Sequence, residues 1–133
     1  MVSLQGKHIF VLEDDVRNLS ILNVLLRKNG ALLLHDTWGD TTLKKMLDYH
    51  SDFDLILLDL MISDRITGYD VFDAIQKVDK FKDIPVVAVS AADPDVEIPK
   101  LRAKGFQGFI AKPINLYEFV DQLTDILDGK SIW

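Results

Sequence analysis

The sequence predicts a doubly wound α/β domain, in which five parallel strands form one sheet and five helices cover its two faces. Two observations predict this class. Five short apolar runs alternate with longer stretches in which apolar residues recur at helical spacing. The runs are nearly continuous, without the polar alternation of a strand that has one face in water, so both faces of the sheet should be covered.

Each strand is predicted from a short run rich in aliphatic and β-branched residues. Pro85 falls in the fourth run and must stand at its start, where a missing N–H is tolerated. In chain order, the predicted strands are His8–Leu12, Ala31–His35, Phe53–Leu58, Ile84–Ser90 and Gly108–Ala111.

The first three helices are predicted from apolar residues on one face. The first spans about Val16 to Asn29, and Gly30 is a plausible stop. Asp40 is the expected cap of the second helix. Their apolar faces carry Leu19, Leu22 and Leu26 in the first helix, Leu43, Met46, Leu47 and His50 in the second, and Val71, Phe72, Ile75 and Val78 in the third.

Prolines and a polar pair delimit the last two helices. Pro94 and Pro99 interrupt the fourth, so its predicted range is about Ile98 to Lys104. Asn115 and Glu118 resemble a capping box before the fifth. That helix should present one apolar stripe, formed by Leu116, Phe119, Val120, Leu123, Ile126 and Leu127.

Composition limits the function classes. A chain of 133 residues that is 48% hydrophobic suits one ordered domain, expected over residues 1–133 with a core at about 8–128 and a short tail at 129–133. The net charge of −6 disfavours nucleic acid and anionic membranes as partners. Without cysteine, disulfides and thiolate metal sites are excluded. No apolar run approaches the length of a membrane span, so a cytoplasmic location is the default expectation.

Polar side chains follow four of the five predicted strands. Glu13, Asp14 and Asp15 follow the first, Asp59 the third and Lys112 the fifth, and the fourth ends in a serine. The carboxyl ends of parallel strands meet at one edge of such a sheet. Two carboxylates 4 Å apart repel by about 4 kcal/mol at an effective dielectric constant near 20.

A divalent cation relieves this repulsion, and magnesium prefers oxygen ligands. A lysine adds positive charge, and a carboxylate can form an acyl phosphate. The pattern therefore predicts a site that binds a metal and accepts a phosphoryl group on Asp59, by positioning and charge neutralisation.

Four segments carry a resemblance to a known family. They are VLEDD, DLILLDLM, PVVAVSA and GFIAKPI, and together they resemble the motifs of response-regulator receiver domains in order and approximate spacing. The resemblance covers about His8 to Asp128 and implies a flavodoxin-like receiver fold. It also implies a signalling domain of two-component systems, which assists its own phosphorylation and dephosphorylation but is not an enzyme.

The resemblance implies a role for each matched residue. Asp59 matches the phosphorylated aspartate, and Lys112 matches the lysine that contacts the phosphoryl group, before a Pro113 bond that is often cis in this family. The implied magnesium ligands are Glu13, Asp14, Asp59 and the backbone carbonyl of Met61. The implied switch residues are Ser90, with the small Ala91 beside it, and Phe109, for which core packing is an equal alternative.

Partners also follow from the resemblance. The implied phosphodonor is a sensor histidine kinase or a histidine phosphotransfer protein. The implied downstream target is a protein that binds the face formed by the fourth helix, the fifth strand and the fifth helix. No DNA-binding segment follows the final helix, so a stand-alone receiver is expected.

Three alternatives stay open. The acid pair is read as Glu13 and Asp14, with Asp14 and Asp15 as the other register. The loop MISDRITG lacks the family's proline and is one residue longer before Gly68, which favours a pseudo-receiver that binds proteins without phosphorylation. A hydrolase or phosphotransferase with a nucleophilic aspartate is disfavoured, because Met61 occupies the position where such enzymes usually carry a second acid.

Overall fold

The computed structural model of the protein describes residues 3–62 and 65–133. Five parallel strands form one sheet in the order β2-β1-β3-β4-β5. This confirms the predicted fold class. In chain order, the strands are β1 (His8–Leu12), β2 (Leu32–Asp36), β3 (Leu55–Leu58), β4 (Val86–Ser90) and β5 (Gly108–Ala111).

Five helices connect the strands and divide between the two faces of the sheet. Buried residues of α1 and α5 pack on one face, and those of α2, α3 and α4 pack on the other. In chain order, the helices are α1 (Val16–Lys28), α2 (Thr42–Asp48), α3 (Gly68–Gln76), α4 (Pro94–Lys104) and α5 (Phe119–Leu127). Within the described ranges, no helix has both the length and the apolar character that a membrane span requires.

Alternate residues of each central strand face opposite helix layers. In β3, Leu55 and Leu57 pack with α1 and α5, whereas Ile56 and Leu58 pack with α2, α3 and α4. Burying such a side chain contributes about 1.5 to 3 kcal/mol relative to leaving it in water. Strands sandwiched in this way need apolar residues at every position, which explains the continuous runs in the sequence.

Helix α4 begins four residues earlier than predicted. Asp93 caps it by accepting a hydrogen bond from the Asp95 N–H, and Pro94 is its first residue. Proline is tolerated there because the first-turn N–H groups have no partner within the helix. The helix continues through Pro99. The predicted start at Ile98 is therefore wrong.

Two predicted caps also differ. Thr41, not Asp40, precedes α2, and its side chain makes no capping hydrogen bond. The Asn115 side chain accepts hydrogen bonds from the N–H groups of Tyr117 and Glu118 in a turn before α5, but the helix itself begins only at Phe119. The reciprocal capping box forms instead at α3, between Thr67 and Asp70.

Candidate functional site

Three carboxylates meet where β1 and β3 end. Glu13 and Asp14 follow β1, Asp59 follows β3, and one oxygen from each lies within 4.8 Å of the others. The two strands pair directly, and the Asp59 N–H donates to the Leu12 carbonyl at 3.0 Å. We call Glu13, Asp14 and Asp59 the carboxylate cluster. Glu13 is 2% exposed and Asp59 6% exposed, so the charges of these two carboxylates are shielded from water.

Lys112 reaches this cluster from the end of β5. Its Nζ lies 2.6 Å from Glu13 Oε1 and 2.8 Å from Asp59 Oδ2. Burial disfavours the charged amine, but hydrogen bonds and charge from Asp59 and Glu13 outweigh it and raise the pKa of Lys112. One ammonium group therefore serves two buried carboxylates.

Glu13 remains under-neutralised. Burial raises the pKa of its carboxyl to about 7, and the neighbouring Asp59 adds to this effect while Lys112 opposes it. Its Oε2 accepts a hydrogen bond from the Asp14 N–H at 3.1 Å. Its Oε1 is buried, and the Lys112 ammonium that faces it is shared with Asp59. A buried oxygen of this kind, with two more carboxylates nearby, fits a hard divalent cation such as magnesium.

The loop after β3 orients Asp59. Its Oδ1 accepts a hydrogen bond from the Met61 N–H at 3.1 Å, while Oδ2 faces Lys112. Met61 forms an isolated bridge with Thr67, and its side chain is exposed. The loop MISDRITG, in which the sequence departs from the family pattern, includes Ser63 and Asp64, which lie outside the described residues.

Gly68 was not assigned a role from the sequence, yet it packs directly behind Asp59. A Cβ added at Gly68 would lie 2.3 Å from the Asp59 carbonyl oxygen. Any side chain there would therefore displace the end of β3. In the sequence, the glycine at the end of the loop could have indicated this contact, because glycine permits a close approach of two backbone segments.

Ser90 and Phe109 lie in the last two strands of the sheet and have different surroundings. Ser90 ends β4, is fully buried, and accepts a hydrogen bond from the Ala92 N–H at 3.2 Å. Its carbonyl accepts from the Lys112 N–H at 3.0 Å. Phe109 is 6% exposed and packs in the core on the α2, α3 and α4 side. The switch roles of both residues stay predictions.

Asp15 stands apart from the cluster. It is the N-cap of α1, and its Oδ1 accepts from the N–H groups of Arg17 and Asn18. The Arg17 hydrogen bond is the largest influence on this carboxyl and lowers its pKa. The geometry therefore groups Asp59 with Glu13 and Asp14. The Lys112–Pro113 peptide bond is cis, as the resemblance implied.

Sequence comparisons give the family. The model of the response regulator receiver domain matches residues 9–124. The chain is 29% identical over 128 residues to ethylene receptor 2 of rice (Oryza sativa subsp. japonica), which covers 96% of this chain but 17% of the receptor. It is 25% identical over 121 residues to the polar-differentiation response regulator DivK of Brucella ovis, covering 91% of this chain and 96% of DivK.

Solved structures share the fold. The Vibrio cholerae chemotaxis protein CheY4 has a TM-score of 0.82 at 18% identity, covering 90% of this chain and 98% of its own. The receiver domain of the Pseudomonas aeruginosa sensor histidine kinase PA1611 has a TM-score of 0.79 at 20% identity, covering 94% and 99%, and is described with magnesium coordinated in its active site cleft. With the family match, these findings show that the chain belongs to the response regulator receiver domains of two-component signalling.

Proposed function

We propose that this chain is a phosphorylation switch, in which Asp59 accepts a phosphoryl group from a sensor histidine kinase or a histidine phosphotransfer protein. The observation that carries the proposal is the single Lys112 ammonium between the buried Glu13 and Asp59 carboxylates. A phosphoryl group on Asp59 would give this ammonium a further negatively charged partner. The expected cytoplasmic location fits such a donor.

In the proposed transfer, an Asp59 carboxylate oxygen forms a bond to phosphorus while the phosphorus–nitrogen bond of the donor phosphohistidine breaks. The electron pair of that bond stays on the imidazole nitrogen, which takes up a proton from solvent. A carboxylate is already deprotonated, so no general base is needed. Lys112 offsets charge on the transferred group, and Met61 N–H orients Asp59.

The residues that would hold magnesium are Glu13, Asp14 and Asp59, together with the Met61 carbonyl. When bound, the ion would neutralise charge shared by the carboxylates and the phosphoryl oxygens. The buried Glu13 carboxylate supports this assignment, because it shares the Lys112 ammonium with Asp59 and lies close to two further carboxylates.

The output would be a population shift between two states of the domain. Ser90 would turn its hydroxyl from the Ala92 N–H toward the phosphoryl group, and Phe109 would adjust its packing. The proposed reading surface is formed by α4, β5 and α5, and the downstream partner would be a protein. Lys112 links the two regions, because it directly follows β5.

Labelling with acetyl phosphate and magnesium tests the proposal, with intact-mass measurement as the readout. We expect the native chain to gain one phosphoryl group and Asp59→Asn to gain none. Asp36→Asn is the matched control, because Asp36 is also a buried acid at this edge of the sheet, and it should be labelled. An unlabelled native chain with both small-molecule and phosphohistidine donors would contradict the proposal.

The pseudo-receiver is a second candidate, favoured by one observation. The MISDRITG loop lacks the family's proline. In that case the fold would bind partners without a chemical switch. Thermal unfolding with and without magnesium separates the candidates: magnesium should stabilise the native chain, and the gain should fall strongly in Asp14→Asn. No stabilisation by magnesium would favour the pseudo-receiver.

A further inference from the structure

The segment that follows α5 folds back onto the outer edge of the sheet. Gly129 turns the chain with φ of +91°, and the Lys130 N–H donates to the Asp125 carbonyl at 3.0 Å. Ile132 then forms a parallel bridge with Gly108 of β5. We call residues 129–133 the strap. It lies along β5, the last strand in the sheet order.

Main-chain hydrogen bonds hold the strap in register. The Ile132 N–H donates to the Gln107 carbonyl at 3.1 Å, and the Ile132 carbonyl accepts from the Phe109 N–H at 2.8 Å. The Gln107 side chain also donates to the Gly129 and Lys130 carbonyls at 3.4 and 3.0 Å. The edge of β5 therefore binds a short extended segment as a sheet would bind another strand.

Side chains of the strap enter apolar sites on both faces of the sheet. Ile132 packs with the core layer of α1 and α5, and Trp133 packs with the layer of α2, α3 and α4. The Arg102 guanidinium on α4 lies 4.8 Å from the Trp133 ring centre, within the range of a cation–π interaction. An apolar residue followed by an aromatic residue is thus the pattern that this edge accepts.

Gly108 makes the close approach possible. A Cβ added there would lie 2.5 Å from the Ile132 carbonyl oxygen, too close for the strap to stay in place. Beside the strap, a groove of about 340 Å³ is lined by residues that include Asp83, Gln107 and Gly129.

We propose that the outer edge of β5 is a binding site for an extended peptide of a partner protein, with an apolar–aromatic pair at its centre, and that the strap occupies this site in cis. Binding would be by strand addition, in which main-chain bonds hold the peptide and side-chain sites select it. The strap must leave before the partner can bind. This proposal depends on the proposed function in one respect: the proposed function includes β5 in the surface that a downstream protein binds.

Amide hydrogen exchange of Phe109 tests the strap in the whole chain. Its N–H should be protected in the native protein, and Gly108→Ala should raise its exchange rate at least tenfold. The Ile56 N–H, which donates to the Pro85 carbonyl inside the sheet, should exchange at an unchanged rate in both proteins. Equal Phe109 exchange in both proteins would overturn the strap as a structural element.

Peptide binding tests the site itself. The double variant Ile132→Pro Trp133→Ala removes the strap's N–H donor and its ring, and circular dichroism checks that it is folded. A fluorescein-labelled peptide, Gly-Lys-Ser-Ile-Trp, should bind this variant at least tenfold more tightly than the native chain, measured by anisotropy. Adding Gly108→Ala should abolish the binding, as should replacing tryptophan with alanine in the peptide.

The proposal fails if titration into the millimolar range gives no saturable binding to the double variant. It also fails if the native chain binds the peptide equally well, or if Gly108→Ala leaves the affinity unchanged. No phosphodonor is present in these measurements. Failure here would therefore leave Asp59 labelling unaffected, and failure of Asp59 labelling would leave peptide binding to be judged separately.

Discussion

Two buried acids lie side by side at the carboxyl edge of the sheet, and they differ in how completely they are neutralised. Asp36 ends β2 and Glu13 follows β1, and the Glu13 N–H donates to the Asp36 carbonyl at 3.1 Å. They are 3% and 2% exposed respectively. Their solvent exposure is therefore nearly equal, and the groups around the two carboxyls differ.

Asp36 has a full set of partners. Its side chain accepts from the hydroxyls of Thr42 at 2.7 Å and Thr41 at 3.2 Å, and from the Thr37 N–H at 2.8 Å. Lys45 lies 3.4 Å away. Burial alone would raise the pKa of Asp36, but Thr42, Thr37 and Lys45 outweigh it and lower that pKa.

Glu13 instead shares Lys112 with Asp59, and its pKa is raised to about 7. A buried acid is thus no sign of function by itself. An incomplete set of partners is the better sign, because a carboxylate left short of donors has capacity for a ligand.

Removing the shared cation should have the largest effect. Lys112→Met leaves Glu13 and Asp59 buried without their ammonium partner, so we expect a loss of about 3 kcal/mol in the free energy of unfolding at pH 8. The loss should shrink at pH 5, where Glu13 holds a proton. Urea denaturation in EDTA measures both values.

Lys45→Met is the matched control. Lys45 is half exposed, and Asp36 also accepts hydrogen bonds from three other donors. Removing the Lys45 charge should therefore cost under about 1 kcal/mol in the free energy of unfolding. If the two lysine variants lose equal stability at pH 8, the contrast between the two acids does not hold.

Replacing each acid with its isosteric amide should give the next largest difference in stability. Asp36→Asn replaces one of the two acceptor oxygens with an NH2 group, so some of the surrounding donors lose their acceptor, and we expect a loss of about 2 kcal/mol. Glu13→Gln removes one of the carboxylates that compete for Lys112, so stability should change by under about 0.5 kcal/mol or rise. Thermal and urea unfolding at pH 7.5 without magnesium compare them, and a larger loss in Glu13→Gln would reverse our assignment.

Sequence periodicity was sufficient to place the carboxylate cluster. Apolar runs end directly before Glu13 and Asp59, and parallel strands bring such ends together. Lys112 could be placed on the same edge for the same reason. The fold class, the family and this juxtaposition therefore follow from local patterns. The metal and switch roles of these residues still await the labelling and binding experiments.

Contacts between distant segments could not be predicted in this way. The predicted second strand stopped at His35, so Asp36 was missed, and its threonine donors lie beyond a turn that periodicity does not describe. The strap involves one bridge between Gly108 and Ile132, too short to leave a repeating pattern. The start of α4 differs from the prediction because Pro94 is its first residue, a position where proline is tolerated.

Per pH unit, the change in stability with pH should be smaller than the losses in Lys112→Met and Asp36→Asn, and its sign differs between the two acids. Between about pH 4.5 and 7, the unfolded chain loses the Glu13 proton while the folded chain retains it. The folded state then binds more protons, so the Glu13 contribution to stability falls as pH rises, by at most about 1.4 kcal/mol per pH unit.

Asp36 acts in the opposite direction and at lower pH. Because its folded pKa lies below 3.8, its contribution is present above that pH and is lost as pH falls through the lowered pKa. Unfolding free energies from pH 3 to 8 in EDTA should therefore show a slope between pH 4.5 and 7 that Glu13→Gln flattens and Asp36→Asn leaves in place. A slope that survives Glu13→Gln would mean that another group holds the proton, and the under-neutralised acid of this edge would have to be sought elsewhere in the cluster.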